Sequence, residues 1–381
     1  MSKHRPIIIP EINNKQSICD YLIQTASILS KKSCPTYIFY INEAPKFTHR
    51  LNKISPNLYS FSPLKIIPFN RFKFAQQFNI YLSFNLLHII CLFRHFSRPT
   101  YWIFYPQITS LIKFSLPSKN LIYDIVDFFT SPHKKINKKL QDQKKYLLKK
   151  ASLITSISSC LKNNYQKLSP KTKINLVPQG FKLVSTPSKL HPQINTLKKL
   201  TNKVGFIGAI SNRLDYELLY KLIKNTPDIH YIFIGPPSLD INVSLKSLEK
   251  LNKKLFSFKN VTHIELIPKN IIAQFIDIFD IAIIPYDTKD DFNRFSYPMK
   301  LFEYFASGKP VIATPIEELK HFPNLVFIEE TSESWKQRIY QILSKPWPEN
   351  LQQRQRNLAR KNSWTNKINQ ILKLAQEIKV L

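Results

Sequence analysis

The chain has 381 residues, 43% apolar and 21% charged, which is a globular composition with length enough for two domains. Its net charge is +31, but residues 1–200 hold 31 Lys/Arg against 6 Asp/Glu while residues 201–381 hold 25 against 19, so the excess lies in the first half and suits a polyanion or an anionic membrane surface there. Cys19, Cys34, Cys91 and Cys160 form no CxxC pair, which excludes a zinc ribbon; no long apolar stretch follows the basic N-terminus, so no secretory signal is expected; and the uncharged run 74–93, broken by Gln76, Gln77, Asn79, Ser83, Asn85 and His88, is a poor membrane span.

Strands alternate with helices from the start. The apolar run Pro6–Pro10 precedes a helix near Lys15–Ser30, and Thr36–Ile41 reads as a strand. A helix follows over 72–94, then strands at Tyr101–Tyr105 and Asn120–Val126. Residues 134–151 form a basic helix with Ile136, Leu140, Leu147 and Ala151 as its apolar stripe, and short strands follow at Ser152–Ser156 and Lys173–Val177. Continuous apolar runs of this length suit parallel sheets covered on both faces.

The stretch 183–202, with Ser185, Thr186, Pro187, Ser188 and Pro192, reads as a linker. The alternation then restarts with strands at Lys203–Ile207, Ile229–Ile234, Val261–Leu266, Ile281–Pro285 and Pro310–Thr314. Helices lie between them at Asp215–Lys224, Ile271–Phe279 and Met299–Ala306. The tail is amphipathic, with Trp364, Ile368, Ile371, Leu372, Ala375 and Ile378 at helical spacing. The expected architecture is α/β, with two Rossmann-like doubly wound domains facing a cleft. Their bounds are 1–182 and 203–361, with a C-terminal helix over 362–381 packing back on the first domain.

All five glycines lie at or after position 180, so a glycine-rich phosphate loop can exist only in the second half. The most informative segment there is 295–314, FSYPMKLFEYFASGKPVIAT. Ser296 and Pro298 suit the first turn of a helix, whose free N–H groups and positive dipole end can seat a diphosphate. Lys300 falls in that turn, and Glu303, one turn on, can accept from a ribose diol. Gly308 ends the helix. A second phosphate candidate is the loop after the 203–207 strand. Gly208 there lets backbone approach an anion, and the planar fork of Arg213 can bind two oxygens.

In the first half, Asp127 follows a buried strand at its carboxyl end, where a carboxylate can act as general base or cap the next turn. Asp124 suits a structural role; His133 and Glu11 are weaker candidates. No His/Cys/Asp cluster has metal-ligand spacing and there is no DxD motif, so no bound metal is expected. The helix 133–150 carries eight lysines, among them Lys138, Lys139, Lys144 and Lys145, a surface that can be merely solvated or can meet an anionic membrane.

With these residues in view, the segment 295–314 resembles the donor-site signature of bacterial GT-B glycosyltransferases of the group 1, family-4-like kind that build cell-surface polysaccharides. The matching positions are Pro298, Lys300, Glu303, Tyr304, Ala306, Gly308, Lys309, Pro310 and Val311. VGFIGAISNRLDYELL (204–219), IIAQFIDIFDIAIIPY (271–286), YDIVD (123–127), ASLITSISSCL (151–161) and NLVPQG (175–180) resemble other parts of that fold. Many family members carry a second glutamate eight positions before the one matched by Glu303; here that position is Phe295. The resemblance implies a metal-independent glycosyltransferase that moves a sugar from a nucleotide-sugar to a cell-envelope polysaccharide or lipid-linked glycan. It makes 1–182 the acceptor-binding domain and 203–361 the nucleotide-sugar-binding domain, with Gly208, Arg213, Ser296, Pro298, Lys300 and Glu303 as the expected donor-binding residues and Asp127 as the catalytic candidate. Lys138, Lys139, Lys144 and Lys145 are expected at the acceptor or membrane side. No cofactor is expected, since the nucleotide-sugar is a substrate. The expected location is cytoplasmic, peripheral on the inner face of the membrane. The rivals are a sugar-nucleotide epimerase of the same fold and a non-catalytic polyanion- or nucleic-acid-binding protein. Against the last, lysine outnumbers arginine 45 to 11 and no nucleic-acid motif appears, so no specific nucleic acid is expected.

Overall fold

A computed structural model describes residues 5–12, 20–43, 51–68, 71–117, 120–127, 129, 137–182, 187, 189–238 and 245–381. It divides into two compact units, one of Met1–Asp127, Lys135–Gly180 and Trp364–Leu381, the other of Phe128–Lys134 and Phe181–Ser363.

The first unit is built on an eight-stranded sheet. Its strands are β1 (Ile7–Glu11), β2 (Thr36–Tyr40), β3 (Leu51–Ser55), β4 (Leu58–Phe61), β5 (Thr100–Ile103), β6 (Leu121–Ile125), β7 (Leu153–Ser156) and β8 (Asn175–Leu176), in the order β3-β4-β2-β1-β5-β6-β7-β8. Every pairing is parallel except β3 with β4. β1, β2, β5, β6 and β7 are buried along their whole length, as strands covered on both faces must be. The β3–β4 hairpin was not expected. Pro56 and Asn57 make its turn, with Asn57 at φ 60°, the left-handed value that Asn tolerates.

The C-terminal helix Trp364–Glu377 belongs to this first unit and packs on the helix Asp20–Lys31 and on β7. Trp364, Ile368, Ile371 and Ala375 are buried, whereas Ile378 is exposed. Gly180 makes the docking possible, because a Cβ there would lie 2.4 Å from the Trp364 ring. Lys367 carries a charge into the same contact. Its Nζ lies 3.1 Å from Asp124 Oδ2, both side chains are buried, and Thr155 Oγ1 donates to Asp124 Oδ1 at 2.8 Å.

The second unit has a six-stranded parallel sheet. Its strands are β9 (Lys203–Ile207), β10 (His230–Ile234), β11 (Val261–Ile264), β12 (Ile281–Ile284), β13 (Val311–Ala313) and β14 (Val326–Ile328), in the order β11-β10-β9-β12-β13-β14. Both sheets therefore run outward from a central strand in one direction and then in the other, the doubly wound pattern expected. Part of the stretch read as a linker is structured. Residues Pro192–Leu197 form a helix that puts Ile194 and Leu197 into the core of the second unit. The buried Gln274 side chain clamps the preceding stretch, donating to the carbonyls of Pro187 and Lys189 at 3.0 Å and accepting from His191 N–H at 3.0 Å. Polar composition marked a loop, but a buried amide holds that loop against one unit.

Candidate functional site

β9 and β12 pair only at their beginnings, Val204 with Ile281 and Gly205 with Ala282, and then separate. This is the switch point of the sheet, where ligands sit beyond the carboxyl ends of strands. Separation leaves ladder groups to be satisfied, and Tyr304 takes them. Its buried hydroxyl accepts from Ile207 N–H at 3.0 Å and donates to Ile283 C=O at 3.3 Å. The helix that carries Tyr304, Lys300–Ala306, is thereby pinned under the crevice.

Lys300 opens that helix and reaches the gap between the strand ends. Its Nζ donates to the Tyr286 hydroxyl at 2.7 Å and lies 4.0 Å from the centroid of the Phe206 ring. Gly208, directly after β9, has φ 136°, and a Cβ there would stand 2.8 Å from the ammonium, so glycine serves both the backbone and the lysine. Burial holds the Lys300 pKa below the usual lysine value; Tyr286 works against that shift and Arg213 adds to it.

Arg213 comes from the loop that follows Gly208. That loop is zipped to the end of β12, since Asp215 N–H donates to Pro285 C=O and Asp287 N–H to Arg213 C=O, both at 2.8 Å. The guanidinium lies between the rings of Tyr286 and Phe292, 4.5 and 4.8 Å from their centroids. Its Nε donates to Asn293 Oδ1 at 2.8 Å, and the buried Asn293 spends its amide on the carbonyls of Asp287 and Arg213. Two cations are thus fixed beside one tyrosine, which suits an anion with several oxygens.

The other expected residues divide. Glu303 lies half-buried one turn along the helix from Lys300. Ser296 and Pro298 are buried, and Ser296 Oγ donates to Asn293 C=O at 2.8 Å. The helix begins at Lys300, not at Pro298, and the Ser296 hydroxyl closes a local turn. Asp127 is half-exposed two residues beyond β6, near the buried Tyr165, whose hydroxyl pKa it helps to raise. Asp124 is structural, as its pairing with Lys367 shows. Glu11 is fully buried at the end of β1, and burial, helped by Glu11 and Glu43, pushes the Tyr40 hydroxyl up to about 12. His133 lies outside the described residues, as does Ile136.

The basic helix Lys138–Lys150 corrects one lysine. Lys138, Lys139 and Lys145 are exposed, but Lys144 is buried, with Nζ 4.8 Å from the centroid of the Tyr165 ring and a pKa lowered by burial to about 8. It lies on the stripe of Leu140, Leu147 and Leu148 and faces inward. Tyr286, Asn293, Phe206 and Phe292 were missed. The available signal for Tyr286 was its position, just past the end of a central strand. Hollows also open at the amino-terminal ends of strands, one of about 560 Å³ lined by Lys203, Asp280 and Lys309, but the switch-point chemistry lies at the other end.

Residues 188–362, nearly all of the second unit, match the sequence model of the family Glycosyl transferases group 1. The second unit thus has the sequence pattern of a group 1 glycosyltransferase domain. The chain is 25% identical over 298 residues to TuaH of Bacillus subtilis, which carries a provisional assignment as a teichuronic acid biosynthesis glycosyltransferase; the match spans 71% of this chain and 69% of TuaH. Among solved structures, a sucrose-phosphate synthase from Thermosynechococcus elongatus superimposes with a TM-score of 0.76 at 15% identity over 98% of this chain and 99% of the synthase. Anabaena HepE in complex with UDP and glucose gives 0.69 at 13% identity over 99% and 100% of the two chains. The fold of the chain is GT-B, with two Rossmann-like units and a C-terminal helix.

Proposed function

We propose that this glycosyltransferase moves a sugar from a nucleotide-sugar donor, a UDP-sugar, to a glycan or lipid-linked acceptor of the cell envelope, working at the inner face of the membrane. The observation that carries the donor reading is the pair Lys300 and Arg213, held about Tyr286 at the switch point of a group 1 domain. Lys300 and Arg213 bind the diphosphate and stabilise its charge as the glycosidic bond to the sugar breaks, the interaction that strengthens most in the transition state. The bare Gly208 backbone lets the phosphates approach, and Glu303 accepts from the ribose hydroxyls. Asp127 takes the proton of the attacking acceptor hydroxyl. The nucleotide-sugar is itself a substrate, and the reaction calls for no cofactor and no metal ion. The acceptor class and the membrane association are supported by the likeness to TuaH and by the basic first half.

The test is a thermal-shift panel of UDP-, GDP-, ADP- and CMP-sugars on the parent chain and on Lys300→Ala and Glu303→Ala. A UDP-sugar is expected to raise the melting temperature by mass action, and each variant to bind about tenfold to a hundredfold more weakly with the unliganded melting temperature little changed. Unchanged affinity in both variants removes the donor reading. Isomerisation of the donor in the absence of acceptor assigns the chain to the epimerases instead.

A further inference from the structure

The helix Lys73–His95 buries three polar side chains and leaves a row of large apolar ones exposed. The residues it buries are Ala75, Asn79, Ser83, Phe84, Leu87, His88 and Cys91, and three of these are polar because each holds a neighbour. Asn79 Oδ1 accepts from Ile66 and Ile67 N–H at 3.0 and 2.7 Å, Ser83 Oγ accepts from Leu64 N–H at 2.7 Å, and His88 Nδ1 bonds the Tyr101 hydroxyl at 2.6 Å. Large apolar side chains lie on the exposed side. Phe74 is 77% exposed, Phe93 71% and Phe96 82%, with Phe78, Ile89 and Leu92 exposed between them. Phe74 and Phe78 are four residues apart, Ile89, Leu92, Phe93 and Phe96 follow at steps of three and four, and the eleven-residue step from Phe78 to Ile89 makes about three turns, so both groups fall on one side of a helix about 35 Å long.

The patch extends beyond the helix. Phe72 precedes it, and Phe114 and Leu116 adjoin its middle, where the Asn85 amide bonds Phe114 C=O at 3.2 Å and Leu116 N–H at 2.6 Å. Every exposed phenylalanine among the described residues belongs to this patch. Single exposed apolar residues are ordinary, but a contiguous run of this size marks an interaction surface.

The charge around it has one sign. Residues 44–123 contain ten Lys/Arg and no Asp/Glu. Arg71 and Lys73 flank the start of the stripe, Arg94 and Arg98 its end, and Lys113 its middle, all exposed. Among the described residues no helix is long and apolar enough to cross a membrane, so the stripe is suited to lie in an interface and not to span one.

We infer that this face docks on an anionic lipid bilayer, with the helix in the plane of the interface, its phenylalanines in the headgroup–acyl boundary and its flanking cations on the headgroups. A second copy fits worse, since an isologous contact would bring two all-cationic rims together. The inference rests on the membrane part of the function proposed above, but it assigns that role to a different surface from the lysines of 138–150.

The test uses the full chain and flotation with vesicles of equal parts phosphatidylglycerol and phosphatidylcholine, against phosphatidylcholine alone. Binding to the anionic vesicles only, weakened by added salt, is expected for the parent. Phe74→Gln with Phe93→Gln should weaken it about tenfold or more without lowering the melting temperature, and Lys138→Gln, Lys139→Gln and Lys145→Gln together should leave most of it. A Phe93→Trp reporter should shift its emission to the blue and be quenched by brominated phosphatidylglycerol. If the lysine variant loses binding and the phenylalanine variant keeps it, membrane association stands and this surface is wrong. If the parent floats with neither vesicle, both ideas fall. If the phenylalanine variant turns a parent dimer into a monomer and the reporter is not quenched, the face joins copies of the chain and the inference is overturned.

Discussion

At the carboxyl ends of the second sheet, β9 and β12 part around Lys300 and Arg213; at the same ends of the first sheet, β1 closes on Glu11, and β6 carries Asp124 with Asp127 just beyond it. The winding of the two sheets is the same, and the chemistry is opposite. It is also opposite to the bulk composition, because the half with 31 basic and 6 acidic residues is the one whose strand ends present carboxylates. Surface lysines determine what the molecule is drawn to at long range. The few groups that strand ends place in a low-dielectric setting determine what can bind or react there. Within the first unit the carboxylates differ again, since Asp124 is neutralised by Lys367 while Asp127 stays half-exposed.

That contrast can be broken most forcefully at Asp127. If it is the acceptor-side base, Asp127→Asn should lose 10²–10⁴-fold in turnover, about 3–5 kcal/mol of barrier, with donor affinity nearly intact. The product should carry an inverted anomeric centre. Near-normal turnover or a retained configuration would make Asp127 a turn residue and leave the first sheet without its reactive carboxylate.

The next effect is on stability. Lys367→Met should destabilise the first unit by about 3–5 kcal/mol, because it strands the buried Asp124 charge. Replacing both, as Asp124→Leu with Lys367→Met, should recover most of that loss. Chemical denaturation monitored by circular dichroism separates the cases, and equal losses in the single and double variants would show that packing, not charge, is at stake.

The smallest effect sharpens the second sheet. Tyr286→Phe keeps the ring beside Arg213 and removes the hydroxyl that works against the lowering of the Lys300 pKa. Lys300 then loses its proton at lower pH, so donor affinity should fall away sooner as pH rises, by a few-fold at alkaline pH and little at neutral pH. Titration calorimetry with UDP across pH tests this. An unshifted alkaline limb would remove Tyr286 from the positioning of the lysine.

Much of this was legible along the chain. The apolar runs marked the buried strands, since a strand covered on both faces has no polar side to show. The segment 295–314 marked Lys300 and Glu303, because the helix start, the glycine stop and the next strand lie within twenty residues. The hairpin of β3 and β4 was legible in principle from Pro56 and Asn57, but its strands are mostly exposed on β3 and carry no apolar run. The helices Ser332–Leu343 and Glu349–Lys361 were passed over because few of their residues are apolar.

The sequence by itself determined the alternation of the main strands and helices, the doubly wound class and the helix within 295–314, because these depend on local periodicity and on turn residues that act within a few positions. Only the tertiary structure decided which polar groups are spent and which remain. Ser296 closes a turn, Lys144 faces inward, Asp124 is neutralised from a helix more than two hundred residues away, and Gln274 draws an apparent linker onto the second unit. Burial and hydrogen-bond partnership are set by contacts between distant segments, and no local pattern encodes them. The same reason hid the outward phenylalanines of Lys73–His95: periodicity shows that a helix has two faces, but only packing shows which of them is left uncovered.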